Sequence, residues 1–279
     1  MQILFKKLIE MNPRKQWKNS NYHLNSINNI IDNLEFYSNR FLKNEKFTIF
    51  LLKKSERKII INYSKDFHLK YINERINGLN RIKKYSFLFE FEINIMLKAI
   101  EYMDIFYLSF NIIYPIKDIS LTCLLISLQF NGVCSQTKNI KIFINFISKK
   151  VNNLIEVENI ILKVLKYNLS VDTSFDIINL IMIKYFKIYF EDISEKKNFL
   201  LDFYFYFVDI IIDIIGDPRY LDLKLYDLSY YIFNYIVNFI FKKYRKGYIE
   251  NIFMSNYCNK VNLKKCDIVL KSIYRNFKK

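Results

Sequence analysis

Residue types that could carry out catalysis are scarce in this sequence and form no known catalytic pattern. His23 and His68 are isolated on predicted helices, so each is expected to be structural rather than a ligand. The sequence shows no Ser–His–Asp arrangement, no HExxH segment and no Walker loop. The acidic pair Glu90 and Glu92 has no apolar pocket that the sequence identifies. We therefore expect no enzyme activity, no small-molecule substrate and no cofactor.

The cysteines likewise do not suggest a metal centre. Cys123, Cys134, Cys258 and Cys266 have neither CxxC spacing nor a neighbouring His, so a structural zinc site or a disulfide framework is not expected. The N-terminus has no long apolar region followed by a small-residue cleavage site, and a secretory signal is not predicted. Reduced thiols inside the cell follow as the default.

The most apolar segment, residues 198–216, is interrupted by three acidic residues. Asp202, Asp209 and Asp213 are seven and four positions apart, which places their carboxylates on one face of a helix. Such carboxylates could ligate a metal ion, but a solvated stripe on an otherwise buried helix explains them better. A helix that spans a membrane would not tolerate them readily, so no membrane association is expected.

The composition indicates a protein built from packed helices. Hydrophobic residues make up 52% of the 279 residues and aromatic residues 18%, but there are only 4 Gly and 3 Pro. So few turn-forming residues argue against an all-β fold and against Gly-rich phosphate loops. The predicted fold class is all-α.

Apolar periodicity predicts eleven helices, in two groups of five after one N-terminal helix. They are expected at residues 22–43, 65–84, 91–109, from Pro115 onwards, 139–149, 153–167, 174–191, 197–215, 221–242, 247–256 and 261–277. The predicted organisation is an N-terminal segment (1–64) with an amphipathic helix, followed by two helical domains (65–169 and 170–279).

The chain is strongly basic, with 43 Lys and Arg against 27 Asp and Glu and a formal charge of +16. This balance is compatible with an anionic partner such as nucleic acid or a membrane surface. We favour a solvated surface, because Lys, Asn, Ile, Tyr and Phe are enriched together, as in proteins encoded by AT-rich genomes. One short run is a candidate nuclear import signal: Lys242, Lys243, Arg245 and Lys246.

Residues 98–169 resemble a cyclin box. The segments that carry the resemblance are "KAIEYMDIF", "LTCLLISLQF" and "LIEVENIILKVLKYNLSVDTSFDII", which are similar to the second, third and fifth helices of that fold. Within the cyclin family the likeness is greatest to the cyclin H branch. It is carried there by "RKQW", "FHLKYINERINGL", "FYLSFNIIYPIKDISLTC" and "CDIVLKSIYRNFKK", whose order and spacing matter more than any single motif.

The resemblance implies two tandem cyclin-like five-helix domains with an extra N-terminal helix. It also implies a regulatory subunit that activates a cyclin-dependent kinase of the CDK-activating type, in cell-cycle and transcription control. The implied partners are that kinase, a RING-finger assembly factor and general factor IIH. The implied location is the nucleus, with the cytoplasm as a second location, and direct nucleic-acid binding is not expected.

Two other classes of function remain open. The first is a general transcription factor with tandem cyclin folds that binds promoter DNA. Such proteins usually carry an N-terminal zinc ribbon, but no Cys precedes Cys123 here. The second is a helical scaffold that binds no kinase.

The resemblance assigns the kinase-binding residues to the third and fifth helices of the first box. Glu158 matches a family Glu that bonds to the kinase backbone, whereas Gln129 stands where the family has a Lys. Phe130, Leu162 and Tyr167 would be the apolar contacts around them. The alternative role for each apolar residue is packing in the core.

The resemblance also implies a structural ion pair. Arg75 and Asp104 match a buried Arg–Asp pair that joins the first two box helices in many cyclins. If they meet, loss of one partner would leave the other as an unpaired buried charge.

Overall fold

The structure is a computed structural model, and it describes residues 65–109, 114–131, 137–189, 193–243 and 260–274. This part of the chain contains nine α-helices and one 3-10 helix, and none of its residues is in a β-strand. The predicted all-α class is therefore confirmed for the residues described. The predicted N-terminal segment (1–64) and the predicted helix at 247–256 lie outside them.

The chain divides into two compact units, with the boundary between Thr173 and Ser174. The first unit contains α1 (Lys65–Leu88), α2 (Ile93–Ser109), α3 (Ile116–Asn131), α4 (Thr137–Ser148) and α5 (Leu154–Val164). The second contains α6 (Ser174–Tyr189), α7 (Ile193–Gly216), a 3-10 helix (Pro218–Asp222), α8 (Leu225–Lys243) and α9 (Lys260–Tyr274).

Two helix ends differ from the predicted ones for identifiable reasons. Helix α5 ends at Val164, not at residue 167, because Lys166 and Tyr167 have positive φ angles that a right-handed helix cannot contain. Helix α8 begins at Leu225, not at residue 221, because Pro218–Asp222 forms a separate 3-10 helix first. Apolar periodicity cannot detect either change, since it does not report backbone dihedral angles.

Helix α3 is the centre of the first unit. All side chains of residues 119–128 are buried, and the helix packs against α1, α2, α4 and α5. Its polar groups bond to nearby carbonyl groups: Thr122 Oγ1 donates to the oxygen of Asp118, and Ser127 Oγ to that of Ile95 on α2, both at 2.8 Å. The nearly uniform apolar composition of this helix follows from its position, because no face of this segment meets water.

Gly78 allows α1 to approach α2 and α3 closely. A Cβ atom at this position would lie 2.6 Å from Met103 Sδ and 3.0 Å from Ile116 Cγ1. Both distances are shorter than a normal van der Waals contact, and Met103 is fully buried, so it has little room to move away. The packing of these three helices therefore depends on a residue without a side chain.

The second unit has an aromatic core shared by α7 and α8. Phe203 and Phe207 of α7 are fully buried, and the ring centroid of Phe203 lies 5.6 Å from that of Phe233 on α8. The hydroxyl of Tyr204 donates to Asn179 Oδ1 on α6 at 2.6 Å. Burial raises the pKa of Tyr204, so this hydroxyl stays protonated and keeps α6 bonded to α7.

The three carboxylates of α7 lie at partly exposed positions. Asp202, Asp209 and Asp213 alternate along the helix with buried aromatic and aliphatic residues. Among the residues described, no group of three or more His, Cys, Asp or Glu side chains is placed to hold a metal ion. No described helix combines the length and the apolar character that crossing a membrane requires.

We expect Gly78→Ala to lower the free energy of unfolding by up to about 2 kcal/mol. Overpacking of a core costs about 1–3 kcal/mol, and the gain in helix propensity offsets about 1 kcal/mol of it. Urea denaturation monitored by circular dichroism measures the change. Gly216→Ala is the matched control, because a Cβ atom there meets no atom within 4 Å, and its stability should stay equal or rise. A Gly78→Ala variant as stable as that control would contradict the close packing of α1, α2 and α3.

Candidate protein-docking site

Helices α3 and α5, which carry the predicted binding residues, pack directly against each other. Helix α5 buries Val157 and Ile161, and the residue that caps its C-terminal end, Leu165, is also buried; the three are four positions apart and therefore lie along one face. The remaining faces of α5 stay at the surface. The fold of the first unit thus holds α5 on a buried stripe and leaves its other side available to a partner.

All five predicted binding residues lie at positions that solvent can reach. Gln129 and Phe130 are exposed at the end of α3, where Phe130 is 53% exposed. Glu158 and Leu162 are partly exposed on α5, and Tyr167, just after that helix, is 66% exposed. Phe130 and Tyr167 are therefore not packed in the core, which was the alternative role for the apolar residues.

Ile155 is an exposed apolar residue that the family resemblance did not assign to the site. It is 77% exposed in the first turn of α5. It precedes Glu158 by three positions and Leu162 by seven, so the three residues share one face of the helix. No sequence signal separates Ile155 from the buried Ile161, because both are apolar residues of one helix. Ile155 adds to Phe130 and Tyr167 a third large apolar side chain that is exposed on or directly after α3 and α5.

Helix α5 is bounded at both ends by residues other than Gly with positive φ angles. Asn153, which precedes the helix, has a φ of 50°, and Lys166 and Tyr167, which follow it, have φ of 51° and 55°. This conformation costs roughly 1–2 kcal/mol per residue that carries a side chain, and it is rare for a bulky residue such as Tyr. Strain of this kind concentrates at functional sites.

Hydrogen bonds hold the strained exit from α5. The N–H of Tyr167 donates to the carbonyl oxygen of Leu162 at 2.8 Å. The hydroxyl of Tyr102, which is fully buried on α2, donates to the carbonyl oxygen of Leu169 at 2.7 Å. The backbone on both sides of Tyr167 is therefore attached to the first unit, while the Tyr167 ring itself is displayed at the surface.

The two glutamates of α5 have different surroundings. Within the described residues, the partly buried carboxylate of Glu158 has no hydrogen-bond or ion-pair partner. Glu156, which is exposed, accepts a bond from Asn153 Nδ2 at 3.3 Å. A carboxylate is a strong acceptor for backbone N–H groups, so Glu158 is placed to bond to the main chain of a partner.

In the core of the first unit, Arg75 and Asp104 join α1 to α2. Arg75 Nε donates to Asp104 Oδ1 at 2.7 Å, and Arg75 NH2 donates to Asp104 Oδ2 at 2.8 Å. Arg75 is 2% exposed and Asp104 is 0% exposed, so the structure brings the two residues of the sequence-derived pair together in the core. A bidentate pair of this kind fixes the geometry of both side chains.

Two tyrosines complete the buried network, and neither was assigned to it from the sequence. The hydroxyl of Tyr71 also donates to Asp104, and the Tyr71 ring stacks on Tyr107 with centroids 4.7 Å apart. The hydroxyl of Tyr107 donates to the carbonyl oxygen of Tyr114, just before α3, at 2.8 Å. Burial raises the pKa of Tyr71, and the negative charge of Asp104 raises it further, so Tyr71 remains a donor. The network thereby connects α1, α2 and the start of α3.

Comparison with known proteins adds no family assignment. No model of a known protein family matches the sequence. A search of curated proteins likewise finds no significant match. A functional proposal therefore depends on the geometry described above and on the motifs that resemble a cyclin box.

We expect Arg75→Met to lower the free energy of unfolding by about 3–5 kcal/mol, because it leaves Asp104 as a buried charge without its cation. Denaturant titration measures the loss. Arg219→Met is the matched control: Arg219 pairs with Asp217 at 2.6 Å but is 47% exposed. Its loss should cost less than about 1 kcal/mol.

A second variant keeps this prediction testable if Arg75→Met does not fold. Arg75→Met with Asp104→Leu removes both charges and should regain part of the lost stability, because no buried charge is left unpaired. Equal losses for Arg75→Met and Arg219→Met would contradict a structural role for the buried pair.

Proposed function

We propose that this chain is a cyclin H-like regulatory subunit, with two tandem cyclin-like domains, that binds and activates a cyclin-dependent kinase. The observation that carries the proposal is the pairing of α3 with α5, which leaves Phe130, Ile155 and Tyr167 exposed, together with Glu158, whose carboxylate has no partner within the described residues. A surface with apolar anchors and a charged hydrogen-bond acceptor suits a protein partner. The motifs between Lys98 and Leu169 indicate which partner.

The proposed mechanism requires no chemistry from this chain. A kinase of this class is active when one mobile helix lies in the position that lets a Lys–Glu ion pair form in its own active site. A rigid surface that binds this helix better in the active position than in the inactive one shifts the equilibrium toward activity. Because α5 rests on a buried stripe and α3 is enclosed by four helices, the docking surface is rigid enough for this role.

Gln129 makes the proposed interface less dependent on charge than the family pattern. A Gln side chain donates through its neutral amide, whereas the Lys that it replaces would form a stronger charge-assisted bond. Affinity would therefore come mainly from the exposed apolar residues and from Glu158.

The wider complex follows from the same resemblance. The kinase would be of the CDK-activating type, which phosphorylates the activation loops of other kinases. A RING-finger assembly factor and general factor IIH are the proposed further partners, and the nucleus is the proposed location. Co-purification of the tagged full chain with a kinase that phosphorylates an activation-loop substrate tests the proposal. A chain that never co-purifies with such a kinase would overturn it.

We expect Glu158→Ala to weaken kinase binding by about 2–4 kcal/mol, as for the loss of a charged residue at the centre of an interface. Isothermal titration calorimetry with the co-purifying kinase measures the affinity. Glu156→Ala removes a carboxylate from the same helix, but from an exposed position, and should change the affinity by less than about 0.5 kcal/mol. Unchanged affinity of the Glu158→Ala variant would reject its assignment as a contact.

We expect Tyr167→Gly to keep or raise stability and to weaken kinase binding at least about ten-fold. Glycine relieves left-handed strain of about 1–2 kcal/mol, of which the greater freedom of glycine in the unfolded chain offsets about 0.4–1 kcal/mol. The exposed ring that anchors the partner is lost. Lys166→Gly relieves the same kind of strain at φ 51° and keeps the ring, so it is the matched control. Thermal denaturation and calorimetric titration measure the two effects. If Tyr167→Gly binds as tightly as Lys166→Gly, the Tyr167 ring is not an anchor.

A further inference from the structure

Helix α4 and the turn after it present a second surface of the first unit, which carries exposed lysines together with one exposed apolar residue, Ile142. Lys141, Lys149 and Lys150 are all exposed. Within the described residues, none of the three ammonium groups has a carboxylate partner.

The segment that forms this surface contains no acidic residue. From Thr137 to Ile155 there are four Lys and no Asp or Glu, although 27 of the 279 residues in the whole chain are acidic. The next acidic residue along the chain is Glu156 on α5. The segment itself is therefore uniformly basic.

Neutral hydrogen-bonding groups lie between and beside the lysines. Asn145 is exposed four positions after Lys141, on the same face of α4, and Lys149 lies in the turn that follows the helix. Asn152 is exposed in the turn that follows Lys150. Lysine together with Asn side chains is the combination that proteins use to contact phosphate and sugar groups of nucleic acids.

Helix α4 and the turn after it, which carry these groups, are well packed against the core. Phe143 and Ile147 of α4 are fully buried, and the ring of Phe143 lies 5.1 Å, centroid to centroid, from that of Phe91. The turn after α4 is closed by a hydrogen bond from the N–H of Val151 to the carbonyl oxygen of Ile147 at 2.9 Å. The backbone positions of Lys149 and Lys150 are therefore set by the core.

We propose that the surface formed by Lys141, Asn145, Lys149, Lys150 and Asn152 binds the phosphate backbone of a nucleic-acid duplex without reading its base sequence. The axis of α4 runs about 10 Å from Lys141 to the last residue of the helix, Ser148, at about 1.5 Å per residue, and Lys149 follows directly. A DNA strand presents a phosphate about every 3.4 Å along its axis, so this length corresponds to about three phosphates. The binding is distinct from kinase docking on α3 and α5, and it revises the expectation that nucleic acid is not bound directly.

The test is fluorescence anisotropy of the full chain with a mixed-sequence DNA duplex of about 20 base pairs, in salt from about 50 to 200 mM. The variant is Lys149→Gln with Lys150→Gln. The control is Lys264→Gln with Lys265→Gln, which changes the net charge equally at another adjacent pair of exposed lysines. The α4 variant should bind at least about ten-fold more weakly, and the slope of log affinity against log salt should become shallower by roughly 2. The control should stay within about two-fold of the unchanged chain.

Three outcomes would overturn the proposal. Equal weakening by both double variants would mean that the total charge of the chain attracts DNA, with no special role for α4. Undetectable binding at the lowest salt would exclude the site directly. If polyglutamate displaces the labelled duplex as well as unlabelled duplex does, the surface binds acidic polymers in general. None of these outcomes depends on kinase binding, so the two proposals can fail separately.

Discussion

Enclosure of α3 is the constraint on which the first unit depends. Ten consecutive residues, 119–128, are buried, and such a helix is stable only if its neighbours cover it on every side. Helices α1, α2, α4 and α5 supply that cover. The cover ends abruptly, since Leu128 is fully buried and Gln129 is exposed. The same packing that stabilises the unit therefore also decides which residues of α3 reach a partner.

Within this enclosed core, the buried charges fix the positions of the helices rather than add net stability. Moving Arg75 and Asp104 out of water carries a large desolvation cost, and their mutual attraction offsets it only when the geometry is good. The bidentate pair and the hydroxyl of Tyr71 provide that geometry. Since these side chains come from α1 and α2, a shift of one helix along the other would leave a buried charge without its partner. The network thus selects one register for the two helices.

Two surface regions of the first unit are consecutive in sequence and differ in their acidic residues. Helix α4 and the turn after it expose lysines, asparagines and Ile142 but no carboxylate, whereas the surface of α5 carries two glutamates together with Ile155, Leu162, Asn159 and Lys163. The change occurs at Asn153, whose left-handed conformation redirects the chain between the two helices. A polymer of phosphates and an apolar protein helix would therefore meet different parts of one small unit. This separation allows the two proposed binding events to be tested independently.

The sequence alone determined the helical class and the positions of most helices, because apolar periodicity and the scarcity of Gly and Pro are local properties. Asp104 and Arg75 could also be paired from the motifs, since both occur in recognisable helix patterns. Only the tertiary structure decided which apolar residues are core and which are surface. Ile155 and Ile161 are the same residue type in one helix, yet the first is exposed and the second is buried, because only the second faces the packed side of α5. The strained backbone at Tyr167 could not be predicted from the sequence either, since a φ angle depends on the hydrogen bonds and packing that surround it.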